Sequence, residues 1–381
     1  MIKFLNVTKS FKQNEVLHNL DIMIHKGEIV VLLGLSGCGK TTTLKMINKL
    51  IQPTTGKILI NGNDISELDT ISLRRSMGYV IQQTGLFPHM SIKENIEIVP
   101  KLMKKDSVEI DKRTVELMEM VNLDRSFLSR YPSQLSGGQL QRVGVARALA
   151  LDPEIILMDE PFSALDPITR VSLQDELLNI QSKYKKTIVF VTHDMDEALK
   201  IADRICIMDK GHVVQFDTTE QILKHPANDF VSTFVGKGRI WSSPELIKVE
   251  DIMLKNPISA SINLPIMKAL EKMIISKVNS LLVIDDNNCL QGLVRPKVLL
   301  EAQDKTLPIS SVMRKIKYTV YPEDNMVSVL KILKEKNISA IPVISHDNKL
   351  VGLLTNASLV STLSLQFLDE HNFSEQEDDV C

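Results

Sequence analysis

Residues Gly34-Leu35-Ser36-Gly37-Cys38-Gly39-Lys40-Thr41 constrain this chain more than any other stretch. They fit the pattern G-x-x-x-x-G-K-[ST]. An apolar run that reads as a buried strand, Glu28–Leu33, precedes them, and a segment that reads as a helix, Thr41–Lys49, follows. A strand, a glycine-rich turn and a helix in that order call for an α/β fold with a mainly parallel sheet. The glycines let backbone N–H groups wrap a chain of phosphates, and the helix N-terminus adds the positive end of its dipole. Lys40 is expected at the β- and γ-phosphates and Thr41 at Mg²⁺. Gly34, Ser36, Gly37, Cys38, Gly39 and Thr42 are expected to complete the nucleotide site. Cys38 needs no redox role, because the loop acts there through its backbone and a small side chain suffices.

Further apolar strands, Ile155–Met158 and Thr187–Val191, fit the same sheet, and shorter ones at Ile2–Val7, Leu20–Ile24 and Lys57–Ile60 suggest an extra antiparallel layer. Residues 91–129, rich in Lys, Glu, Met and Leu, read as helices. The strand Ile155–Met158 ends in Asp159-Glu160. Beside a phosphate loop, Asp159 suits Mg²⁺ and Glu160 suits a general base that polarises the attacking water. The 381 residues allow two or three domains, and a net charge of −2 gives no argument for nucleic acid as a partner. Cys38, Cys206, Cys289 and Cys381 lie far apart and read as free thiols of a reducing compartment. No stretch approaches the roughly 18 apolar residues of a membrane span, and the N-terminus lacks the apolar core of a signal peptide. A role at a membrane therefore needs a partner that crosses it.

Leu135-Ser136-Gly137-Gly138-Gln139 matches the signature of ABC ATPases, and residues 1–235 resemble that family throughout. The resemblance implies that Ser136, Gly137, Gly138 and Gln139 cradle an ATP held by a second copy. It makes Gln82 the Q-loop residue, linking Mg²⁺ and water to a membrane partner, and Ser163-Ala164-Leu165-Asp166 the D-loop. His193 is then the switch histidine at the γ-phosphate. Phe11 is placed to stack on adenine, although an apolar residue of an amphipathic strand would look the same. The implied fold is a P-loop ABC ATPase domain with an antiparallel β subdomain and a helical subdomain. Two copies are expected to form a homodimer around two Mg·ATP.

An internal repeat follows, at an offset of sixty residues. Met253 aligns with Met313, Leu270 with Leu330, Asn288 with Asn348 and Gly292-Leu293 with Gly352-Leu353. Residues 252–362 resemble a tandem pair of α+β CBS domains, often adenine-nucleotide modules. Where that family places an acid on the ribose, this chain has Val298 and Ser358, so ordinary AMP or ATP sensing is not expected. A dimerisation module remains the alternative. The expected organisation is ATPase 1–235, linker 236–249, CBS copies 250–306 and 307–365, and an acidic tail 366–381.

The wording Met77–His89, Glu94-Asn95-Ile96, Val99-Pro100 and Leu165–Arg170 is similar to the ATPases of bacterial osmoprotectant importers. That resemblance implies uptake of glycine betaine, carnitine or choline through two permease subunits, with an extracellular substrate-binding protein. It places the chain on the cytoplasmic face of the membrane and suggests cyclic di-AMP as a CBS ligand, with Arg314, Tyr318, Tyr321 and Ala340–Ile344 as candidate contacts. The alternatives are an importer for another small solute, a soluble ABC ATPase and a CBS-regulated nucleotide switch.

Overall fold

The computed structural model describes residues 1–82, 85–163, 165–236, 239 and 246–361. Ala164, most of the expected linker and the whole acidic tail lie outside the described residues. The chain divides into two compact units, 1–237 and 238–381.

The first unit opens with two long strands, Ile2–Phe11 (β1) and Asn14–Ile24 (β2), paired antiparallel through several bulges. Next in sequence are Ile29–Gly34 (β3), Thr55–Ile60 (β4), Asn63–Asp64 (β5) and Met77–Val80 (β6). They are followed by Ile155–Asp159 (β7), Thr187–Thr192 (β8), Arg204–Asp209 (β9) and His212–Thr218 (β10). One sheet has the order β2-β1-β4-β5 and is antiparallel; the other has the order β10-β9-β3-β8-β7-β6 and is parallel except for β10. The expected antiparallel layer and parallel sheet are thus both present.

Both faces of the parallel sheet are buried, which explains why β3, β7 and β8 are unbroken apolar runs. Val30 and Leu32 of β3 face one core, shared with Ile2, Phe4 and Leu20 of the antiparallel layer and with Leu44 of the helix Lys40–Ile47. Val31 and Leu33 face a second core, against Ile92, Ile96, Leu117 and Val143. Those residues lie on the helices Ile92–Leu102, Ser107–Met120 and Gly137–Ala148. Burying one such Leu or Val contributes about 1.5–3 kcal/mol. In-register pairing of Asp159 with Val191 and of Leu33 with Thr192 brings the C-terminal ends of β3, β7 and β8 to one sheet edge. Parallel α/β sheets bind ligands at that edge.

The second unit contains Leu254–Lys255 (β11), Ser259–Ser261 (β12), Leu281–Ile284 (β13), Leu290–Val294 (β14), Ala340–Ile344 (β15) and Leu350–Thr355 (β16). Its two sheets have the orders β12-β13-β14 and β11-β16-β15. The repeat is therefore structural, but its two copies exchange their leading segments. Ile247, Val249 and Ile252 join the core of Val329, Val343 and Leu354. Ile309 joins the core of Ile266, Val283 and Val294. The offset of sixty survives in the bonds: Ile266 N–H donates to Leu307 O and Met326 N–H to Ile247 O, each at 2.9 Å. It also explains the paired glycines. A Cβ on Gly292 would lie 3.2 Å from Met313 Sδ, and one on Gly352 would lie 2.4 Å from Met253 Sδ. Leu290 N–H donates to Asn348 O and Leu350 N–H to Asn288 O, so the two turns hold the copies together.

Candidate functional site

The loop after β3 is built as its glycines require. A Cβ on Gly34 would sit 2.2 Å from Met208 O and 2.8 Å from Cys38 Sγ, so only glycine fits between β9 and the loop. Gly37 has φ 81° with nothing within 4 Å of an added Cβ, which leaves open space over the loop for a ligand. Lys40 is buried, and its Nζ donates to Gly34 O and Leu35 O, both at 2.8 Å, across the mouth of the loop. The helix behind it starts at Lys40, one residue before the expected Thr41. Burial raises the pKa of Cys38 against the pull of Lys40, so its thiol stays protonated and unreactive, in line with the bland reading of that residue.

Thr41 Oγ1 donates to Asp159 Oδ1 at 2.8 Å. Two oxygen donors beside a phosphate loop suit Mg²⁺, which keeps waters and takes further ligands from substrate phosphates. Among the described residues, no group of three His, Cys, Asp or Glu side chains gathers as a metal site.

Glu160 has a left-handed backbone, φ 46°, fixed by its N–H donating to Val191 O at 3.0 Å. An L residue in that conformation costs of order 1–3 kcal/mol and recurs at active sites. Its carboxylate is the convergence point of the site. Gln82 Nε2 donates to Glu160 Oε2 at 3.2 Å, and His193 Nδ1 lies 3.4 Å from Glu160 Oε1. Gln82 Nε2 also reaches Ser163 Oγ at 3.4 Å, and Ser163 Oγ donates to Glu160 O at 3.1 Å. Three segments far apart in sequence thus meet on one carboxylate that is only 22% exposed. Phe11 ends β1 with 45% of its surface exposed and Lys9 Nζ 4.8 Å from its ring centroid. Apart from this cation, the exposed part of the ring suits stacking on a base.

Ser136 caps the helix Gly137–Ala148: its Oγ accepts from Gln139 N–H, and Gln139 Oε1 accepts from Ser136 N–H at 2.9 Å. The helix begins at Gly137, which leaves the amides of Gly137 and Gly138 in its first turn. A Cβ on Gly137 would meet nothing, while one on Gly138 would lie 2.4 Å from Thr169 Cγ2. Among the described residues, no hydrogen bond joins Ser136–Gln139 to Gly34–Thr41. Asp166 caps the helix Pro167–Tyr184 through Thr169 N–H.

Sequence reasoning missed Arg170, Thr192 and Glu197, which brace the turn carrying His193. Arg170 stood inside the quoted run Leu165–Arg170, but nothing in a linear pattern identifies its partners.

In the second unit, Ser358 is buried and bonded locally. Its N–H donates to Thr355 Oγ1 at 2.9 Å, and its Oγ donates to Thr355 O at 2.8 Å. Arg314 pairs by its backbone with Leu293, so the expected contact from the second copy sits at the edge of the first copy's sheet. Tyr318 and Tyr321 are exposed, and Tyr321 stacks on His346 with centroids 4.7 Å apart.

The ABC transporter family profile matches residues 17–163, and the CBS domain profile matches residues 249–305 and 309–364. The carnitine transport ATP-binding protein OpuCA of Listeria monocytogenes is 48% identical over 362 residues, covering 94% of this chain and 91% of the relative. The glycine betaine/carnitine/choline transport ATP-binding protein OpuCA of Bacillus subtilis is 46% identical, covering 94% and 95%. The osmoprotectant import ATP-binding protein OsmV of Salmonella typhimurium is 43% identical, covering 96% of each. The dimeric structure of MJ0796, a bacterial ABC transporter cassette, aligns with a TM-score of 0.53 at 38% identity. It covers 57% of this chain and 99% of the cassette.

Proposed function

Since the chain belongs to the ATP-binding subunits of ABC osmoprotectant importers, we propose that Glu160, Gln82 and His193 carry out hydrolysis on an ATP held by Phe11 and the loop Gly34–Thr42. The subunit is an ABC ATPase. Its hydrolysis powers import of an osmoprotectant of the betaine, carnitine or choline type through membrane permease subunits. Such cassettes work as dimers.

The observation that carries the assignment of roles is the convergence of Gln82 and His193 on Glu160. Lys40 and the loop amides bind and orient the β- and γ-phosphates. Thr41, Asp159 and Gln82 would hold Mg²⁺, which neutralises phosphate charge when bound. Glu160 accepts a proton from the attacking water. His193 positions the γ-phosphate, and Gln82 relays its state to the permease. Ser136, Gly137, Gly138 and Gln139 of the second copy close the site from the other side, with Asp166 beside them.

No helix among the described residues is long and apolar enough to cross a membrane. From its likeness to importer ATP-binding subunits, the proposed place of action is the cytoplasmic face, under the permease, with an extracellular binding protein delivering the solute. Steady-state ATPase activity tests this motor role. It should rise several-fold when the permease and a substrate-loaded binding protein are supplied together, and turnover indifferent to both would point to a free-standing switch.

For the CBS pair the proposal is cyclic di-AMP, one ligand across two chains. The absence of a ribose-binding acid at Val298 and Ser358 favours it, as does the inward commitment of the Ser358 hydroxyl to Thr355. A two-fold ligand also suits a two-fold dimer. Calorimetry on a Lys40→Ala chain, which removes the competing ATP site, should give micromolar binding, about −8 kcal/mol, at one ligand per two chains. Tight binding of AMP or ATP at one per chain, or no binding of any adenine nucleotide, would count against it.

A further inference from the structure

His193 sits in a short turn between the end of β8 and the helix Met195–Ile201. Its own side chain is largely exposed, so its placement depends on the residues to either side. Thr192 Oγ1 accepts from Asp194 N–H at 3.0 Å and donates to Glu197 Oε2 at 2.7 Å. Asp194 Oδ1 accepts from the N–H groups of Asp196 and Glu197, which starts the helix. The turn is therefore closed by Thr192, Asp194 and Glu197. Glu197 is only 5% exposed, and a carboxylate that deep needs a cation.

Arg170 supplies it from a different element. Its Nε lies 3.6 Å from Glu197 Oε1, and its Nη1 donates to Asp194 Oδ2 at 3.5 Å. Its remaining donor, Nη2, bonds Leu165 O at 3.2 Å, inside the D-loop. Arg170 N–H donates to Asp166 O at 2.9 Å, so the same residue is fixed to the D-loop by main chain and side chain. The planar guanidinium thus hydrogen-bonds Asp194 and Leu165 O through its two terminal nitrogens, while Nε, buried with no hydrogen-bond partner among the described residues, faces Glu197 by charge alone; a lysine offers a single point charge in place of this fork. The D-loop in turn reaches Glu160 through Ser163.

We propose that Arg170 is a positioning residue that locks the turn bearing His193 to the D-loop, so that the two segments flanking Glu160 move as one. Arg170 touches neither the phosphate loop nor Glu160, and it acts only through the placement of His193. The inference rests on the assignment of His193 to the reaction. It adds that the D-loop, a segment facing the second copy, sets the histidine by a direct side-chain bridge.

The test is a double-mutant cycle on the full chain, read as phosphate release under saturating Mg·ATP. Arg170→Met is expected to lower kcat about tenfold while the ATP KM stays within twofold, because the loop that binds ATP is untouched. In a His193→Ala background, the same substitution is expected to change the residual turnover by less than twofold. A purely structural role would lower turnover by a similar factor in both backgrounds, and that result overturns the proposal. So does full activity of Arg170→Met in a protein whose His193→Ala variant is slow. If His193→Ala itself turns over normally, the assignment of His193 fails first and the bridge fails with it. Should Arg170→Met not fold, Arg170→Lys keeps the cation, loses the fork and carries the same comparison at about threefold.

Discussion

Glu160→Gln should bind Mg·ATP normally and hydrolyse it about 10²–10⁴ times more slowly, the usual contribution of a positioned base. The substitution is nearly isosteric, so the left-handed backbone at this position and its N–H bond to Val191 O should survive. What changes is the group between Gln82 Nε2 and His193 Nδ1. An amide oxygen still accepts from Gln82, but no atom of the amide takes a proton from water. Because binding energy is intact and turnover is not, the variant should accumulate as an ATP-bound closed dimer. Gel filtration with and without Mg·ATP would show it as a doubling of apparent mass that persists for many turnover times of the native protein. Near-native phosphate release from this variant would remove Glu160 from the role of base.

The residues of that site were readable before the fold because each motif carries local chemistry. The strand–glycine–helix order around Lys40 predicts its own geometry, and an apolar strand ending in two acids predicts an edge position for Asp159 and Glu160. Strand lengths were less legible. The expected strand Leu20–Ile24 is only the end of β2, which starts at Asn14, because bulges and the left-handed backbone of Asn19 let a polar stretch stay in the ladder. The signature helix starts at Gly137 although glycine disfavours helix interiors. The reciprocal Ser136–Gln139 cap compensates at the first turn, where such residues are tolerated.

Tertiary exchange left no mark in the sequence. The repeat gives the period and the matched glycines of the CBS pair. It cannot tell whether Ile247–Ile252 packs on its own copy or on the other, because both cores ask only for apolar residues at the same spacing. The Arg170 bridge is hidden for the same reason. A charged residue on an amphipathic helix looks solvated until the fold brings Asp194 and Glu197 against it.

A mixture of two dead variants should recover ATP-driven closure that neither shows alone. Lys40→Ala removes the cation whose Nζ spans the mouth of the phosphate loop. Ser136→Arg fills the start of the signature helix and breaks its cap. Within one chain these two regions share no hydrogen bond among the described residues, and the first-turn amides of Gly137 and Gly138 do not close on the chain's own loop. If each ATP lies between the loop of one copy and the signature of the other, every composite site in either pure variant contains one broken half. A heterodimer differs: both lesions fall on one site, and the second site has an intact Lys40 and an intact Ser136. With free mixing, about half of the dimers are of this kind. Closure on Mg·ATP, followed by cross-linking or light scattering, should therefore appear in the mixture and be near zero in each variant alone. Closure in the mixture no greater than in the separate variants would mean that each loop works with its own signature, and the shared site would have to be abandoned.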